Sequence, residues 1–226
     1  MSPASLNSLQ ANAIPVRQGD RIAVVGAGIA GLSAAWLLAP NHRVTLFESA
    51  PYFGGHANTV DVTIGNVTHP VDTGFLVFNE VTYPNLVQLF AALRTEVYAS
   101  EMSFSVSIER PDVEWCGTSL STVFAQTRNL ARPAFWGMLR DILRFNRNAQ
   151  RYLEQARIKP CTLGELLDAE GFGAPVRDWY LLPMAAAIWS ASFEMILDFP
   201  AETFLAFCIN HRLLQVENRP PWKTVH

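Results

Sequence analysis

A strand-like run, Arg21-Ile22-Ala23-Val24-Val25, opens directly into Gly26-Ala27-Gly28-Ile29-Ala30-Gly31, and no other feature of the 226-residue chain restricts its fold so tightly. A G-x-G-x-x-G pattern alone is weak. Here a helix-like stretch, Leu32 to Leu38, follows it, then a second apolar run, Val44 to Phe47, and then Glu48, which together supply the βαβ context of a dinucleotide-binding fold. Gly26 permits the tight turn out of the strand, Gly28 lets a pyrophosphate approach the backbone, and Gly31 lets helix and strand pack closely, with the small Ala35 one turn beyond. Ala27, Ile29 and Ala30 complete the loop. The pyrophosphate is expected at the helix N-terminus, where N–H groups lack intrahelical partners and the dipole favours negative charge. Glu48 is placed to accept hydrogen bonds from the adenosine ribose hydroxyls and to repel a 2′-phosphate, so FAD or NAD fits better than NADP.

Beyond Glu48 come Gly54-Gly55-His56 and two short alternating runs around Gly65-Asn66, read as a β-hairpin that delivers Asp72-Thr73-Gly74. Here the chain resembles the flavin-dependent amine oxidase superfamily, which includes phytoene desaturase-like and protoporphyrinogen oxidase-like enzymes. The resemblance covers residues 21 to about 90. It implies that Gly26, Gly28, Gly31 and Glu48 hold the ADP half of FAD, while Gly54, Gly55, Thr73 and Gly74 approach the ribityl and flavin side. His56 stands where these enzymes usually carry arginine; it can still donate to a phosphate or ribityl oxygen, but without a permanent charge.

The C-terminal half carries a second resemblance, through Leu182-Pro183-Met184, Ala187-Ile188-Trp189-Ser190, Phe199-Pro200-Ala201, Asn210-His211 and Pro221 to Val225. It is similar to a largely uncharacterised bacterial subgroup of the same superfamily. The resemblance implies an α/β chain: a Rossmann-like FAD-binding domain plus a largely helical α+β substrate domain. Residues 1–20 read as a flexible leader, 21–82 as the N-terminal part of the FAD-binding domain, and 83–226 as substrate-side structure. In the superfamily the last strand of the FAD domain returns near the C-terminus, so the 226 residues are expected to be an N-terminal fragment. The implied activity is hydride transfer from an amine or a C–C bond of a small or lipid-like organic substrate to flavin N5. Two other readings stand beside it: a non-catalytic carrier on the same fold, like the GDP-dissociation inhibitors, and an NAD-dependent dehydrogenase. The Gly54-Gly55 and Asp72-Thr73-Gly74 elements count against the second. Catalytic side chains are not readable, as befits chemistry carried by a cofactor.

Bulk properties narrow the class further. Half of the residues are hydrophobic and 16% charged, enough for a large core, and a net charge of −3 offers no general attraction to nucleic acid. Cys116, Cys161 and Cys208 are odd in number and widely spaced, which disfavours a disulfide scaffold or a metal site. Neither a signal peptide nor a membrane-length apolar run is present, so a cytoplasmic protein is expected, with peripheral membrane contact left open.

The substrate-side half reads as a strand pair, Met102 to Glu109 with Val113 to Cys116, followed by helices at 119–128, 133–157, 162–170, 175–190 and 200–214. Thr162 and Glu165 form a capping-box signature. Arg140, Arg144, Arg147 and Arg151 share one helix face that could meet anionic lipid or an acidic substrate; a solvated face is favoured. Trp179, Tyr180, Trp189 and Phe193 could line an aromatic pocket, and His211 could move a proton. Core packing is favoured for all five, and for Cys208.

Overall fold

The computed structural model describes residues 17–215 and 220–225, and the chain divides into two compact units, residues 1–76 and 77–226. The expected leader lies outside the described residues as far as residue 16.

In the first unit, β1 (Arg21–Val25) and β2 (Arg43–Phe47) pair in parallel, with Arg21 opposite Arg43 and Val25 opposite Phe47, and α1 (Ile29–Leu38) connects them. The helix ends at its C-cap, Ala39, whose backbone is still helical, because Pro40 has no N–H to continue the ladder. The hairpin follows as β3 (Thr59–Ile64) and β4 (Val67–Asp72). Gly65 takes φ +63°, as a two-residue turn with glycine at its first central position requires. Its antiparallel register gathers Val60, Val62, Ile64, Val67 and Val71 on one face and Thr59, Thr63, Thr68 and Asp72 on the other. The polar face is stitched by Thr59 Oγ1 donating to Asp72 Oδ1 at 2.7 Å and by the Thr63 and Thr68 hydroxyls at 3.0 Å. Among the described residues of this unit, Ala27 alone is fully buried.

The second unit contains α2 (Pro84–Leu93), β5 (Val97–Ser100), β6 (Ser105–Ile108), β7 (Val113–Cys116) and α3 (Leu120–Val123). Helices dominate the remainder: α4 (Pro133–Ile158), α5 (Leu163–Ala169), α6 (Ala174–Val176), α7 (Leu182–Trp189), α8 (Phe193–Leu197) and α9 (Ala201–Asn210). A last strand, β8 (Trp222–Val225), pairs antiparallel with β5, and β6 pairs antiparallel with β7. The core forms on α4, whose buried Phe135, Met138, Phe145, Ala149, Tyr152, Leu153 and Ala156 recur at helical spacing. Phe204, Leu205 and Cys208 of α9 and Trp179, Tyr180 and Leu181 join the same cluster. Burial pushes the Cys208 thiol up to about 12. Thr162 caps α5 as its sequence signature requires, its hydroxyl accepting from the Glu165 N–H while the Glu165 carboxylate accepts from the Thr162 N–H.

Several expectations need correcting. The helix read over 119–128 is only α3, followed by a 3-10 turn at Thr127–Ala131. Side chains of this segment brace the neighbouring strand pair instead of extending a helix: Gln126 Oε1 accepts from the Glu114 N–H, and Asn129 Nδ2 donates to the Glu114 carbonyl at 3.0 Å. The helix read over 175–190 passes through a π turn, Arg177–Leu181. The last helix stops at Asn210 rather than 214, where Arg212 turns into the left-handed region at φ +54°. The sequence reading omitted α2, β5, α8 and the strand pairing of β8.

Candidate dinucleotide site

The residues singled out in the first unit are joined by backbone contacts that glycine alone permits. At Gly26 the chain takes φ +95° and its N–H donates to the Phe47 carbonyl at 2.7 Å, tying the exit of β1 to the end of β2. A Cβ on Gly31 would sit 1.8 Å from the Gly26 carbonyl oxygen, so α1 can cross this close only with glycine there. Gly28 caps α1 with extended backbone and no side-chain bond to the first turn, which leaves the N–H groups of Ile29, Ala30 and Gly31 directed out of the helix. A Cβ on Gly26 or Gly28 would meet only open space. A ten-residue helix without a side-chain cap, facing an open glycine cradle, fits a pyrophosphate.

The second element closes on the first. Gly54 donates to the Ala27 carbonyl at 2.8 Å and bridges Gly28, while Gly55, at φ +62°, leaves only 3.1 Å between an added Cβ and the Gly28 Cα. The third closes on the second: a Cβ on Gly74 would fall 1.5 Å from the His56 carbonyl oxygen, and the Phe75 N–H donates to that same carbonyl. Thr73 is fixed by Asn58, whose carbonyl accepts from both the Thr73 N–H and the Thr73 hydroxyl and whose side-chain amide donates to that hydroxyl at 2.8 Å. Asn58 was missed in the sequence; its position two residues after His56, at the mouth of the hairpin, was the available signal. The His56 ring is exposed.

Glu48 stands at the C-terminal ends of the parallel strands, beside a hollow of about 340 Å³ lined by Val25, Gly26, Phe47, Glu48 and Ser49. Its Oε1 accepts from the Ala50 N–H at 2.8 Å and the Ser49 hydroxyl at 3.3 Å, and its Oε2 from the Ala27 N–H at 2.6 Å. These donors, the Ala50 amide first and the Ala27 amide second, hold its carboxyl below the usual carboxylate range. A carboxylate offers about four lone-pair positions, and among the described hydrogen bonds Oε2 accepts one, from the Ala27 N–H.

The sequence matches the NAD(P)-binding Rossmann-like domain family over residues 24–93. Locally it is 50% identical over 54 residues to an L-amino-acid oxidase of Pseudechis australis, covering 24% of this chain and 10% of that protein. It is 59% identical over 39 residues to an L-amino-acid oxidase of Bungarus fasciatus, covering 17% and 8%. A solved putrescine oxidase variant superposes over 93% of this chain and 46% of its own, with a TM-score of 0.60 and 20% sequence identity. The chain shares the fold of this putrescine oxidase. It spans less than half the length of this amine oxidase relative.

Of the other groups weighed, the arginine stripe is largely structural. Arg144 donates to the Glu170 and Gly171 carbonyls just beyond α5 and lies 3.9 Å over the Phe172 ring, and Arg151 pairs with Glu170. Arg140 lies beside Asp141, while Arg147 is exposed. Trp179 and Tyr180 are buried, and Trp189 packs against Phe199, Phe204 and Phe207. Phe193 instead lines an open cleft of about 620 Å³ with Phe104, Arg110, Asp178 and Trp179. His211 stacks on Phe207 at 4.0 Å, its Nδ1 lying 3.1 Å from the Phe207 carbonyl. No described helix is long and apolar enough to cross a membrane.

Proposed function

We propose that this chain binds FAD in its first unit and serves an oxidoreductase that takes a hydride from an organic substrate. The observation that carries the reading is the continuous backbone seam from Gly28 through Gly54 and Gly55 to His56 and Gly74. It ties two further elements to the phosphate loop, as a ligand longer than its ADP half requires. When bound, the flavin supplies the hydride-accepting position, N5. The chain's own residues would bind and orient: the first turn of α1 receives the pyrophosphate, Glu48 accepts a ribose hydroxyl through Oε2, and the seam lies along the ribityl side. Glu48 would also repel a 2′-phosphate and so reject NADP. The local likeness to L-amino-acid oxidases and the fold shared with putrescine oxidase favour an amine over a C–C bond as the group oxidised. A cytoplasmic setting fits this reading.

Calorimetric titration of the purified chain with FAD, ADP, NAD and NADP tests it. FAD and ADP should compete for one site, with FAD bound more tightly than ADP because of the additional seam, and NADP should be rejected. Preference for NAD over FAD, or the absence of any dinucleotide affinity, would remove the flavoprotein reading.

A further inference from the structure

The peptide groups around Ala27 are held from both sides. Its N–H donates to Glu48 Oε2 at 2.6 Å and its carbonyl accepts from the Gly54 N–H at 2.8 Å, while the side chain between them is fully buried. A backbone N–H in a buried turn needs a partner, because leaving it unpaired forfeits both the protein bond and the water bond. The same carboxylate reaches Ala50 on its own side of the strand end, so one side chain spans from β2 to the phosphate loop. The Gly54 bond then passes the restraint to the next cofactor-facing element. All of these contacts are made between groups of the chain itself.

We infer that Glu48 is a latch: it holds the phosphate loop and the Gly54-Gly55 turn in their binding shape before any dinucleotide arrives, and contacts the ribose through Oε2. The inference rests on the dinucleotide reading for the purpose of the latch, not for its existence. Glu48 is thus a positioning residue as well as a ligand residue. The groups facing the carboxylate are the Ala27, Ser49 and Ala50 amides and the Ser49 hydroxyl, all donors, so the latch holds while the carboxylate is ionised and weakens on protonation.

Hydrogen exchange on the ligand-free 226-residue chain tests this. Glutamine keeps one acceptor oxygen and turns the other into a donor, so Glu48→Gln should speed exchange at Ala27 or Ala50 by about tenfold or more. When Ala27 is affected, the Gly54 amide should follow, whereas the Gly26 amide, held by the Phe47 carbonyl, should not. In the wild-type chain, Ala27 and Ala50 should lose protection, relative to intrinsic exchange, as acid titrates Glu48, and the variant should lack that step. Equal protection of both amides in Glu48→Gln, or no acid step in the wild type, would overturn the latch. If the variant does not fold, the wild-type acid series decides alone. A chain that shows the latch but binds no FAD loses the proposed function and keeps the latch; one that binds FAD with protection independent of Glu48 does the reverse.

Discussion

The two units are ordered by opposite means. The helical unit is built from large side chains meeting at α4, with Phe135, Phe145 and Tyr152 enclosed. The nucleotide unit is built from missing side chains: its junctions at Gly31, Gly55 and Gly74 bring backbone against backbone, and Val25 remains 84% exposed at the end of its first strand. A core of side chains has many near-equivalent solutions, since volume can be redistributed among neighbours. A seam of glycines has one, because no rotamer relieves a Cβ set against a carbonyl oxygen. The first unit should therefore be intolerant at few positions but absolutely so, and the second sensitive at many positions by graded amounts.

The largest effect should come from hollowing the core. Phe145→Ala is expected to cost about 3–5 kcal/mol of stability, read by urea denaturation, while calorimetric FAD affinity of the folded fraction stays as in the wild type; a loss of affinity would break the contrast. Next comes the seam: Gly74→Ala puts a methyl 1.5 Å from the His56 carbonyl oxygen, and the required backbone shift should weaken FAD binding by about a hundredfold or more. An unchanged titration curve would show that the seam does not shape the site. Arg144→Ala removes two carbonyl hydrogen bonds and a ring contact, and should cost about 1–2 kcal/mol, against almost nothing for Arg147→Ala; equal costs would return the arginine stripe to a purely solvated face. Acid should give the smallest effect. The folded Glu48 carboxyl sits below its ordinary value, so its contribution is present above the unfolded pKa and is lost as pH falls through the folded one. Amide signals of Ala27 and Ala50 should accordingly shift at lower pH than the range of a free glutamate; a transition within that range would contradict the assigned hydrogen bonds.

What the sequence revealed follows from the same contrast. The turn at Gly26, the close packing at Gly31 and the Gly65-Asn66 turn were legible because glycine at those places in a strand-turn-helix or strand-turn-strand pattern has a local task. The long α4 was legible from its periodic apolar face. By contrast β5 is four residues long and finds its partner, β8, across most of the second unit, with Val97 opposite Val225, so no local pattern marks it. The role of Arg144 was hidden because its acceptors are the backbone carbonyls of Glu170 and Gly171, which no side-chain pattern marks. Glu48 was read as a ribose ligand, but its intraloop bonds depend on how the strand ends meet, which spacing does not encode. For α2 the signal existed, Pro84 at the first helical turn, and went unread.

Cys208 gives the helical unit a built-in reporter. Only the thiolate reacts with alkylating reagents, and a thiol that is fully enclosed and titrates at about 12 presents about one ionised molecule in ten thousand near pH 8. Cys116 and Cys161, partly exposed, remain accessible in the folded chain. Modification at Cys208 therefore counts the openings of the α4–α9 core, and its rate measures the stability of that core without denaturant and without disturbing the nucleotide unit.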